Sequence, residues 1–188
     1  MLPRISKADA AVPQPSAWQA GLTREDLVAS IKNPSSDLYE RDYYAWLQDQ
    51  VQALRKRRVE DVDWENVAEE IESLGKSERR GIRSHLATVL EHLLKLEYAH
   101  GIFREYNARG WRVSVRSARR QLRELLDESP SLRPQLAEIL VRAYGDGRIE
   151  ALREPRLTED ILPETPPWTL EQVMDDSFMP DQTSSRRD

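Results

Sequence analysis

Residues 63–95, DWENVAEEIESLGKSERRGIRSHLATVLEHLLK, concentrate the side chains of this chain that could do chemistry. Five acids stand among the first ten positions, four bases follow at Lys76, Arg79, Arg80 and Arg83, and two of the three histidines close the stretch. On a helix, Glu65, Glu69 and Glu72 fall at i, i+4 and i+7 and share one side. Carboxylates on a bundle helix can hold divalent metals when Glu-x-x-His motifs face them from two further helices. One such motif is present, Glu97-Tyr98-Ala99-His100, where two are needed. His85 and His92 are spaced i, i+7, about 10.5 Å apart along a helix, and cannot share an ion as an i, i+4 pair can. A metal centre would need His92 to meet Glu69 or Glu72 across a helix pair. The plainer reading has these histidines flank the core and hydrogen-bond to a neighbouring helix. No catalytic set is assembled and no cofactor is implied. The Gly-Asp-Gly at 145–147 lacks both a preceding strand and a following Gly-Lys-Ser/Thr, and no Gly-x-Ser-x-Gly occurs.

A second feature lies between Arg109 and Arg123, where six arginines occur without an acid. Arg112, Arg116, Arg119, Arg120 and Arg123 cover roughly 80–180° of a helical wheel measured from Trp111. A continuous basic face of this kind can contact a protein partner or track the phosphates of a nucleic acid. The plainer reading is neutralisation within the fold, by the acidic second helix or by the C-terminal stretch Glu154–Asp181, which carries eight acids and one base. The chain as a whole is acidic (net charge −5), and aromatics do not interleave with these arginines.

These residues must be positioned by helices. Of 188 residues, 39% are hydrophobic and 32% charged, with Leu, Ala, Glu, Arg and Gln prominent. There is no cysteine, which excludes disulfides and thiolate chemistry and fits a reducing cytoplasm. The start lacks the apolar core of a signal peptide, and no apolar run is long enough to span a bilayer. A cytoplasmic protein without membrane contact is expected.

The spacing predicts an all-α bundle of about five main helices with a docked C-terminal tail. Residues 1–22 read as a disordered tail, 23–33 as a short helix capped by Thr23 plus a linker, 36–180 as a single helical bundle domain and 181–188 as a disordered end. The first long helix is expected over about Leu38–Arg57, with Tyr43, Leu47, Val51 and Leu54 as its apolar stripe, widened by Tyr39, Tyr44 and Trp46. The second starts at the N-cap Asp63, buries Trp64, Val67, Ala68, Ile71 and Leu74, and stops at Gly75. Ser77 caps a third, whose Ile82, Leu86, Val89, Leu90, Leu93 and Leu96 fall within roughly 120° of arc. GIFREYNARG is expected as a loop, and a fourth helix over about Trp111–Asp127. The fifth starts at Ser131, faces Leu136, Ile139, Leu140 and Ala143 inward and continues through YGDGRIE. Thr169 and Gln172 form a capping box on a short last helix, with Trp168, Leu170, Val173 and Phe178 as apolar pins.

YERDYYAWL, DWENVAEEIESLGKSERR, HLLK, GWRVSVRSARRQL, SPSLRPQL and PWTLEQVMDDSFMP occur in this order. In that order and spacing, over about residues 38–180, the chain resembles the bacterial domain of unknown function family number twenty-nine. The resemblance implies an all-helical domain found in bacteria, with no assigned activity and no catalytic residues to carry over. Five tryptophans and a pinned acidic tail, without catalytic spacing, point instead to binding, to a protein partner or a second copy. Two alternatives stand beside it: phosphate-backbone binding through the arginine helix, and a metal-dependent bundle enzyme built on Glu69, Glu72 and His92.

Overall fold

A computed structural model describes residues 34–180, with side chains from Asp37 onward. The expected tail 1–22, the helix capped by Thr23 and the end 181–188 lie outside the described residues. All regular structure among the described residues is helical, and none of these helices is long and apolar enough to cross a membrane. The chain divides into two compact units, residues 1–70 and 71–188. The stretch 36–180, expected as one bundle, is described here as these two.

The first unit contains α1 (Pro34–Arg41), α2 (Tyr43–Arg55), a single 3-10 turn (Val59–Asp61) and the opening turns of α3 (Trp64–Tyr98). The one helix expected over Leu38–Arg57 is two, because Asp42 caps the second: its carboxylate accepts the Ala45 N–H at 3.0 Å. α2 ends with Arg57 in the left-handed region (φ 55°), its N–H bonded to the Leu54 carbonyl and that of Arg58 to the Ala53 carbonyl. This is the Schellman arrangement, built on an arginine where glycine is usual. The buried face of α2 is Trp46, Gln50 and Ala53, rotated away from the expected stripe, whose Tyr43 and Leu54 are exposed. Gln50 turns inward because its Oε1 accepts the buried Asp63 N–H at 2.8 Å, a main-chain donor that needs a partner. Tyr39 meets Trp46 edge-on at 4.8 Å and Tyr43 stacks on it at 5.9 Å. Both phenols donate to Glu70, each at 2.7 Å. That hydrogen bond is the main reason the Tyr39 phenol is pushed up to about 12 and the Glu70 carboxyl is held below its ordinary value.

The second unit holds α3 from Ile71 onward, α4 (Gly101–Glu128), a 3-10 stretch (Pro130–Gln135), α5 (Leu136–Leu152) and α6 (Leu170–Met174). Three expectations over α3 and α4 are corrected. Gly75 does not end a helix, and Ser77 does not start one: α3 runs unbroken for 35 residues. One helical glycine costs about 1 kcal/mol, and the Glu72–Lys76 ion pair at 3.3 Å spans it. GIFREYNARG is not a loop but the first ten residues of α4. The reversal is made by Ala99, His100 and Gly101 alone, with Gly101 at φ +65°, a conformation other residues adopt only under strain. Arg104 then donates through Nε to the Leu96 carbonyl at 2.9 Å, satisfying a carbonyl at the end of α3. The buried stripe expected from Trp64 to Leu74 is also overturned, since Trp64, Ile71 and Leu74 are all exposed.

The core of this unit follows the expected pattern closely. Ile82, Leu86, Val89, Leu90, Leu93 and Leu96 of α3 are fully buried. They pack with Trp111, Val115, Ala118 and Leu122 of α4 and with Leu136, Ile139, Leu140 and Ala143 of α5. α5 does continue through Gly145 and Gly147, and the reason is tertiary. A Cβ at Gly147 would stand 2.6 Å from the Ala87 carbonyl oxygen and 3.0 Å from the Glu91 nitrogen, so only glycine lets α5 approach the α3 backbone. The Thr169–Gln172 capping box forms on α6. Val173 enters the core, and Trp168, Leu170 and Phe178 pack against it.

Two expectations for measurement follow from these packings. Gly145→Ala, at an exposed position with open space around it, should stabilise the protein by up to about 1 kcal/mol. Gly147→Ala should instead destabilise by about 1–3 kcal/mol, because the obstacle is backbone and cannot swing away; urea unfolding of the pair reads the sign change. In the first unit, Glu70 titrates below its unfolded value. Its contribution is therefore present above the ordinary carboxylate range and lost as pH falls through the folded value. Tyr39 is raised, so its contribution is present below pH 10 and lost as pH rises toward about 12. Near-UV circular dichroism of the wild type should show both limbs, and Glu70→Gln should flatten both.

Candidate functional site

The helix that carries the arginines, α4, buries one arc and exposes the other. Its buried arc is Ala108, Trp111, Val115, Ala118, Leu122 and Leu126. The five arginines expected to form one basic face are sorted by position on this cylinder. Arg119 lies at the edge of the buried arc and is 0% exposed. Its guanidinium donates to three main-chain carbonyls of the C-terminal segment: Val173 at 2.8 Å through Nε, Phe178 at 2.9 Å and Gln172 at 3.3 Å through the terminal nitrogens. Burial is the main influence pulling its pKa down, opposed by the carboxylates of Asp175 and Asp176. Three carbonyl dipoles and two nearby acids compensate the cost of removing this charge from water. Arg123 is pinned to Asp176 at 2.8 Å, and Arg120 is only loosely engaged by Glu124 at 3.7 Å. Arg112 and Arg116 have no carboxylate partner among the described residues. The basic face is thus split, one part neutralised by the acidic tail and one part left to solvent.

The solvent side of α4 carries a feature absent from the charge count. Ile102, Tyr106 and Val113 are 82%, 87% and 58% exposed. At 100° per residue they fall within about 40° of one another, on the arc that also bears Arg109, Arg116 and Arg120. The result is a row of apolar and cationic side chains along one helix. Periodicity could have found it had residues 101–110 been read as helix; reading them as a loop hid it. Arg116, Arg120 and Val113 line a shallow depression with Ser117, Arg123 and Asp176.

The metal candidates are not brought together. Glu72 and His92 lie on the same unbroken helix, 20 residues and about 30 Å apart along its axis. The hairpin that would have let them face each other does not form. Glu72 is occupied by Lys76. His92 donates from Nδ1 to the Thr88 carbonyl at 2.9 Å, a bond within its own helix rather than to a neighbour. Glu69 is exposed in the first unit. Among the described residues, no group of three or more His, Asp or Glu is placed to hold a metal ion.

The bases of the opening stretch do find acids on another helix. Arg79 pairs with Glu138 at 2.8 Å and Arg83 forms a bidentate pair with Asp146 at 2.5 and 2.7 Å, both across the α3–α5 contact. Arg142 reaches the same Glu138 at 3.4 Å.

Replacing Arg119 by lysine tests the clamp. A point-like ammonium cannot serve three diverging carbonyls as a planar fork does. Arg119→Lys should cost about 1–3 kcal/mol of stability and open residues 168–180 to limited proteolysis. A tail as resistant as in the wild type would remove the clamp from the account.

Compared with known proteins, residues 38–179 match the family model described as "Domain of unknown function DUF29". No curated protein and no solved structure matches the chain.

Proposed function

We propose that this chain, which belongs to the DUF29 family, works without a catalytic step, as a binding module that associates with a second copy of itself. The observation that carries this reading is the solvated row on α4, where Ile102, Tyr106 and Val113 stand among Arg109, Arg116 and Arg120. An apolar row flanked mainly by cations, with Glu105 and Glu124 as the acids on the same arc, suits a docking surface better than a free surface. Its occupant should be acidic and apolar in the same register. The first unit supplies such a surface: Val59 and Trp64 are 60% and 57% exposed beside Glu60, Asp61, Glu65 and Glu69, all solvent-facing. Aromatic and arginine side chains are the anchors that dominate interface energetics. Because the two complementary surfaces differ, the association is heterologous and can extend beyond a dimer.

A second reading rests on Arg109, Arg112 and Arg116, which lack carboxylate partners among the described residues and could contact nucleic-acid phosphates. Sedimentation velocity separates the two. The wild type should form concentration-dependent oligomers below about 100 µM at low salt, weakened as salt screens the charges. Ile102→Glu with Tyr106→Glu should abolish them without loss of fold, since both side chains are solvent-facing. Trp64→Asp should do the same, and a mixture of the two variants should stop at a dimer. A wild type that stays monomeric throughout ends the proposal. A DNA duplex that co-sediments with that monomer, and is released when Arg112 and Arg116 are reversed in charge, would install the second reading in its place.

A further inference from the structure

The opening bases of the sequence do more than pair with acids. Lys76, Arg79, Arg80 and Arg83 are spaced i, i+3, i+4 and i+7, which places them on one side of α3. Across the α3–α5 contact, Ile139 and Arg142 of α5 complete a concavity of about 280 Å³ with five cationic side chains and one apolar one in its wall. Three carboxylates engage these cations: Glu72 holds Lys76, Asp146 holds Arg83, and Glu138 is shared between Arg79 and Arg142. Arg80 has no carboxylate partner among the described residues. The wall therefore carries two more positive charges than its partners cancel. Arg80 and Arg83 also line an adjoining groove whose other walls include the hydroxyl-bearing Ser77, Ser84 and Thr88 and the acids Glu91 and Glu150.

We propose that this concavity is a binding site for the phosphate dianion of a small phosphate monoester. The charge excess equals the charge of the ligand. Guanidinium forks match phosphate oxygens with paired hydrogen bonds. The half-shared Glu138 leaves Arg79 and Arg142 with donors free to turn inward, and Arg80 has all of its own. The adjoining hydroxyls and carboxylates suit the polyhydroxy body of a sugar phosphate. The close α3–α5 approach at Gly147 fixes the spacing of the two backbones that carry the walls. This site is separate from the α4 row and does not depend on self-association.

Isothermal titration calorimetry with glucose 6-phosphate, inorganic phosphate and a DNA duplex tests the proposal at about 50 mM NaCl. The sugar phosphate should bind at one site, more tightly than inorganic phosphate. Its affinity should rise between about pH 5 and 7 as the dianion forms. Arg80→Gln removes a side chain with no carboxylate partner among the described residues, so the fold should be unaffected, while affinity should fall about tenfold. Arg142→Gln should act similarly, and Arg116→Gln on α4 should leave binding unchanged. Binding of inorganic phosphate with equal strength would keep the anion site and remove the monoester specificity. Absence of heat up to about 10 mM ligand, equal affinity in Arg80→Gln, or binding of the duplex alone would overturn the site.

Discussion

The second unit depends on arginines that donate to main-chain carbonyls. From Arg153 to Pro180 the chain has only one short helix, so most of its carbonyls have no partner within regular structure. Such groups must find donors or remain in water. Arg119 supplies the carbonyls of Gln172, Val173 and Phe178. Arg148 supplies those of Glu159, Leu162 and Pro163, and the Tyr144 hydroxyl adds a second donor to Pro163 at 2.6 Å. Held in this way, the tail delivers Leu157, Leu162 and Val173 into the core. A planar cation with several diverging donors is the side chain best suited to fasten an irregular backbone.

The same clamp decides what faces solvent. Because the tail docks along the Arg119 and Arg123 edge of α4, the acids at Asp175 and Asp176 are spent on that edge. The solvent-facing arc next to that edge keeps Arg109, Arg112 and Arg116 and the exposed Ile102, Tyr106 and Val113. On the other side of the bundle, the acids of α5 meet the bases of α3 but are too few to neutralise them. Two separate basic features result from one pattern of partial compensation, one on a convex helix face and one in a concavity between two helices.

Much of this fold was legible in the sequence. The inward residues of α3 and α5, the capping box on α6 and the apolar pins of the tail all follow from spacing and cap chemistry, which are local properties. The family resemblance over most of the chain was legible as well, and the family model matches residues 38–179. Two of the misreadings, of the α3 break and of the start of α4, share one physical source. Glycine was read as punctuation at Gly75 and around Gly101–Gly110, but a glycine ends a helix only when nothing outweighs its cost of about 1 kcal/mol. At Gly75 an ion pair and strong helix formers on both sides outweigh it. At Gly101 the positive φ belongs to the turn before the helix, not to a loop after it.

The candidate sites were legible only as lists of residue types. The sequence by itself determined the all-helical class, the core faces of α3 and α5 and the uneven distribution of charge, because each depends on neighbours within a few residues. It could not determine which arginines are spent and which remain. Arg119 and Arg120 are adjacent in the chain, yet one is fully buried against a segment more than fifty residues away and the other lies in solvent. Arg79 and Arg80 are likewise adjacent, and only the first reaches Glu138. Tertiary structure decided these fates, because the charge left on an arginine depends on what other parts of the chain bring within hydrogen-bonding distance, and helix spacing carries no record of that.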